Sequence, residues 1–143
     1  MDKSELLLIL LSWASHLSSY TYPEVPPDYE FKSRSFFVNN ACQGNARCNA
    51  GAWYNDNGTI YIDDRLQNWE DPMVRSVIVH ELVHYLQDLS GKYTKSGCEE
   101  HLRREREAYA IQRMYINRIA GVFAATYPVY APCPAEQSGE QVN

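Results

Sequence analysis

Three stretches of the chain repeat apolar residues at helical spacing, and shorter ones between them alternate as strands do. In residues 4–19, Leu6, Leu7, Leu10, Trp13, Ala14 and Leu17 share one face, with Ser12, Ser15 and Ser19 elsewhere, which predicts a core-packing helix. Residues 72–90 put Val74, Val77, Ile78, Leu82, Tyr85, Leu86 and Leu89 on a broad apolar face. Asp71 followed by Pro72 supplies an N-cap acceptor and a first-turn proline, and Gly91 supplies the stop. A third helix is predicted over 98–120, marked by Ala108, Ile111, Met114, Tyr115 and Ile119 and ending near Gly121.

Residues 20–30, with Tyr22-Pro23 and Pro26-Pro27, read as an extended connector. Residues 35–39, containing Phe36, Phe37 and Val38, read as a first strand. Ala52-Trp53-Tyr54 and Thr59-Ile60-Tyr61-Ile62-Asp63 then flank Asn55-Asp56-Asn57-Gly58, a strong hairpin-turn signal. Alternation puts Ile60 and Ile62 on one face and Thr59, Tyr61 and Asp63 on the other. A small, mostly antiparallel sheet therefore precedes the 72–90 helix, and the fold class is α+β. Residues 131–143, rich in Pro, Glu, Gln, Ser and Gly, read as an extended or disordered tail, leaving 1–130 as a single domain.

Composition narrows the partners. The net charge is −5, and Arg103, Arg104 and Arg106 are surrounded by Glu99, Glu100, Glu105 and Glu107. A solvated helix face explains that run, and nucleic acid is a poor partner. The apolar run from Leu6 to Leu11 is far too short to span a bilayer. Asp2 and Glu5 occupy the place of a signal peptide's basic region. Cysteines stand at 42, 48, 98 and 133, an even count that suggests an exported, oxidising setting. The missing signal pattern points instead to the cytoplasm, so localisation is left open. The expected pairs are Cys42 with Cys48, around a Gly/Asn-rich loop, and Cys98 with Cys133.

The chemistry sits at His80-Glu81-Leu82-Val83-His84, inside the 72–90 helix. Residues four apart lie about 40° apart around a helix and one turn along it, so both imidazoles can reach one metal ion. Glu81 follows the first ligand, placed to act as a general base on water beside that metal. This is the spacing of a zinc hydrolase, and Zn2+ is the expected cofactor. A catalytic zinc needs a third protein ligand. One solution places Gly and His three and six residues after the second His, but Gln87 and Ser90 stand there. The other draws a Glu from the following helix. Glu107 shares a stripe with Ile111 and Met114 and is the first choice, Glu105 the second and His101 the third. Asp63, Asp64 and Asp88 are candidates to hold the histidines, and Tyr85, Tyr93 and Tyr109 to stabilise an oxyanion. The strand Thr59-Ile60-Tyr61-Ile62-Asp63 is the expected edge for an extended peptide.

His80-Glu81-Leu82-Val83-His84-Tyr85-Leu86-Gln87, followed by Arg104-Glu105-Arg106-Glu107-Ala108-Tyr109-Ala110, resembles the small gluzincin-like zinc metallopeptidase domains of bacteria. In particular it resembles an uncharacterised bacterial group with the same Trp-Tyr and Ile-Tyr-Ile-Asp hairpin before the metal helix. The resemblance spans roughly residues 5–133. It implies a minimal zincin-like fold in which Glu107, matching the acid of a Glu-Ala pair, completes the site with His80 and His84. It also implies hydrolysis of a peptide or protein substrate. The competing expectation is a non-catalytic binding domain with a structural or vestigial metal.

Overall fold

The computed structural model describes residues 1–42, 44–121 and 132–134. The amino-terminal helix, α1 (Lys3–Ser18), starts at a capping box: Asp2 accepts the Glu5 N–H while the Glu5 carboxylate accepts the Asp2 N–H. Its stripe of Leu7, Leu10, Leu11 and Ala14 is buried, as the helical spacing predicts.

The next two elements exchange the roles expected of them. The segment taken as a connector contains strand β1 (Asp28–Lys32), and the segment taken as a strand is a short helix, α2 (Arg34–Asn40). The Ser33 hydroxyl caps α2 by accepting the Phe36 N–H at 3.2 Å. Phe37 then enters the core, while Phe36 packs on Trp53 and Tyr61.

Strands β2 (Ala52–Tyr54) and β3 (Thr59–Asp63) form the antiparallel hairpin. The other pairing is parallel, Asp28 opposite Thr59 through Lys32 opposite Asp63. The sheet order is β1-β3-β2, so the sheet is mixed and not mostly antiparallel. Thr59–Asp63 is its centre, hydrogen-bonded on both sides, and cannot be the edge that takes up a peptide. That edge is β2.

Helix α3 (Pro72–Ser90) keeps the bounds its caps dictate. Asp71 accepts the Met73 N–H at 2.9 Å, and Gly91 takes a left-handed φ of 69°. It packs against α1, β2 and the following helix, α4 (Cys98–Met114). The predicted 98–120 helix continues past α4 as a π-helical turn, Tyr115–Ile119. Ile60, Ile62, Ile78, Val79, Leu82, Val83, Ala108 and Ile111 join the α1 leucines in one core. The molecule is thus α+β, with α3 packed on the three-stranded sheet through β2.

Both expected disulfides are present, Cys42–Cys48 and Cys98–Cys133. No helix among the described residues is long and apolar enough to cross a membrane. The predicted tail lies outside the described residues except for 132–134.

Candidate metal centre

His80, Glu81 and His84 share the side of α3 that meets α4 and β2. His80 and Glu81 are buried, and His84 is nearly so. α4 comes close because Ala108 is small and fully buried where the helices meet. That approach delivers Glu105, whose two oxygens lie 3.0 Å from His80 Nε2 and 3.0 Å from His84 Nε2. The two Nε2 atoms are 3.2 Å apart. Ligands around a tetrahedral ion, with bonds of about 2.0–2.1 Å, sit about 3.3 Å from one another. Each of these three separations is within about 0.3 Å of that spacing, with a different Glu105 oxygen facing each imidazole. Among the described residues, His80, His84 and Glu105 form a group that could hold a metal ion.

Glu107, the first choice from sequence, is not in this group. Two residues beyond Glu105, it points about 200° away around α4. Its carboxylate accepts from the Tyr20 hydroxyl, Gln87 Nε2, Lys92 Nζ and the Tyr93 hydroxyl. The buried apolar residues of α4 are Leu102, Ala108 and Ile111. Glu105 lies three residues after Leu102 and three before Ala108, while Glu107 lies four before Ile111, so the apolar pattern alone does not separate the two acids. His101 lines the cleft but is exposed and stays out of the ligand group.

The orientation of each imidazole is set on its other nitrogen. His80 Nδ1 lies 3.0 Å from Gln112 Oε1, and His84 Nδ1 lies 2.8 Å from Gln87 Oε1. An amide oxygen only accepts, so each Nδ1 carries a proton, and a metal that displaced any proton from Nε2 would meet that atom's lone pair. These two glutamines replace the three aspartates expected from sequence. Asp63 is held by Arg34 and Arg65, Asp88 accepts the Tyr54 hydroxyl, and Asp64 is exposed. Neither glutamine stood out by composition; their signal is position, Gln87 three residues after His84 and Gln112 seven after Glu105.

Glu81 is fastened to the sheet. Its Oε1 accepts the Tyr54 N–H of β2 at 2.9 Å, and its Oε2 lies 4.0 Å from His80 Nε2. Tyr109 meets the His80 ring edge-on, with centroids 4.2 Å apart. A cleft of about 800 Å³ opens over the group, with β2 on one wall and Glu105 and Tyr109 on the other. Tyr85 and Tyr93 point elsewhere, donating to the Val25 carbonyl and to Glu107.

The charges agree with the geometry. Burial opposes ionisation of Glu105, but hydrogen bonds from His80 and His84 outweigh it and hold the carboxyl well below its usual range. Burial likewise opposes a charged His84, yet Glu105 and Glu81 lift its pKa to about 9. In comparisons with protein-family models, with curated proteins and with solved structures, the chain has no significant match.

Proposed function

We propose that this chain is a zinc-dependent hydrolase, a metallopeptidase of gluzincin type with a minimal zincin-like fold. The observation that carries the reading is the convergence of His80 Nε2, His84 Nε2 and Glu105 beside Glu81, under an open cleft. Two neutral imidazoles and one carboxylate suit zinc, which prefers nitrogen and oxygen donors in this number at catalytic sites. A zinc ion held there would polarise a substrate carbonyl and bring the pKa of water in contact with it to about 7.

The chain's own residues supply the rest. Glu81 acts as the base, and its hydrogen bond from the Tyr54 N–H keeps one oxygen fixed while the other faces the centre. It takes a proton from the attacking water, whose oxygen bonds to the scissile carbonyl carbon. As the C–N bond breaks, Glu81 returns that proton to the leaving amine. Tyr109, on the wall opposite β2, is the tyrosine placed to donate to the oxygen that gains charge. An extended peptide adds to the sheet at β2, the edge strand that borders the cleft.

A structural zinc site is closed by four protein ligands. Three donors beneath a cleft of this size favour the catalytic reading over a binding domain with a structural metal. The test is Glu81→Gln, assayed for zinc content and for hydrolysis of fluorescein-labelled casein and a mixed fluorogenic peptide set. The expected result is zinc content unchanged and turnover down by about a hundredfold or more. Turnover equal to wild type would remove Glu81 from the chemistry and the proposal with it.

A further inference from the structure

Beyond the ligand group, a chain of polar contacts runs from His84 to the far side of α4. Gln87 is almost fully buried, at 2% exposure, so solvent does not complete its hydrogen bonds. Its Oε1 faces His84 Nδ1 at 2.8 Å. Its Nε2 donates to the Arg104 carbonyl and to Glu107 Oε1, both at 3.0 Å.

An amide can be placed either way round, and its hydrogen-bond partners decide which. If Gln87 were turned over, its oxygen would face two acceptors and its NH2 would face His84. His84 would then have to carry its proton on Nε2, the atom a metal needs. Glu107 is the charged one of the two acceptors that forbid this. A carboxylate at position 87 could not do the same work, because it has no proton to give Glu107 or Arg104. The other histidine is held by the same device. Gln112 Oε1 faces His80 Nδ1, and Gln112 Nε2 donates to Ser76 Oγ at 3.1 Å. The Ser76 hydroxyl spends its own proton on the Met73 carbonyl, so it is free to accept.

We propose that Glu107 is a positioning residue of the metal centre: it orients the Gln87 amide and, through it, the His84 tautomer that leaves Nε2 open to a divalent ion. This rests on the metal reading above. Tyr20, Lys92 and Tyr93 hold Glu107 from the other side, so the segment after α1 and the loop after α3 both anchor the relay.

The experiment is a double-mutant cycle on zinc affinity, read by competition with a chromophoric chelator, in Glu107→Leu, Gln87→Leu and the pair. Glu107→Leu is expected to weaken zinc about tenfold, within the range for groups that orient ligands. In the Gln87→Leu background it should add nothing further, because the route to His84 is already cut. Glu107→Gln keeps an acceptor for Gln87 and should bind zinc close to wild type. Nitrogen-15 spectra of the metal-free protein, at a pH where His84 is neutral, should show its proton on Nδ1 in wild type and Glu107→Gln, and shift it towards Nε2 in Glu107→Leu.

Equal losses from Glu107→Leu in both backgrounds would overturn the relay, as would full affinity in Glu107→Leu or lost affinity in Glu107→Gln. Wild type that binds no zinc would overturn the metal reading itself, a result the variants cannot mimic.

Discussion

At His84, the imidazolium gains more from Glu105 and Glu81 than it loses by burial, and its pKa rises from 6.5 to about 9. A group whose folded pKa is raised stabilises the fold fully below its unfolded value and loses that contribution as pH rises through the folded one. The metal-free protein should therefore lose stability between pH 6.5 and about 9. Zinc must displace the same proton, so its affinity should rise across that window and level off above it. Urea melts and zinc titrations at several pH values check both trends; affinity independent of pH below about 9 would contradict the assignment of the proton to His84. The residue scale also shows what sequence could and could not deliver. His80, Glu81 and His84 lie within one helical turn, so local spacing alone brings them together. The third ligand depends on how two helices rotate against each other. Glu105 and Glu107 are two positions apart, and only the packing of α4 on α3 separates them.

Among the elements, α1 and α3 were legible from their apolar spacing, while the Ser33 cap of α2 went unread. Asp2, Asp71 and Gly91 set the ends of α1 and α3 by side-chain and backbone chemistry that needs no tertiary partner. The exchange between β1 and α2 had a different cause. Phe36, Phe37 and Val38 look strand-like in isolation, yet Ser33 starts a helix that sends Phe37 and Phe36 to separate surroundings. The signal for β1 was the alternation of Asp28, Tyr29, Glu30, Phe31 and Lys32, masked by the prolines just before it. Tyr29 and Phe31 share one side of β1 and both pack on Trp69. Asp63, at the end of β3, ties these pieces together. It is fully buried and accepts from Arg34 of α2 and from Arg65 in the following loop. Burial alone would raise its pKa, but the two arginines prevail and hold it below 3.8. Its contribution is therefore present above about pH 4 and lost as pH falls through the lowered value. Asp63→Asn should cost about 2 kcal/mol in a denaturant melt at neutral pH, with the difference from wild type shrinking in acid. An unchanged midpoint would show that the arginines find other acceptors.

Across the molecule, one helix does most of the joining. α3 carries two of the three candidate metal donors, binds β2 through Glu81 and the Tyr54 N–H, and meets α4 where Glu105 projects. Any rotation of α4 against α3 would separate Glu105 from the histidines and break both glutamine relays together. The α+β class, the hairpin and both cysteine pairs were readable as sums of local signals. The mixed sheet order and the third ligand were not, because each depends on contacts between segments distant in the chain. The most direct test of the whole account is zinc content by plasma mass spectrometry on purified wild type, Glu105→Ala and Glu107→Ala. The account predicts about one zinc per chain in wild type and in Glu107→Ala, and loss of the metal in Glu105→Ala. Zinc kept in Glu105→Ala and lost in Glu107→Ala, or absent from wild type after zinc is supplied, would contradict it.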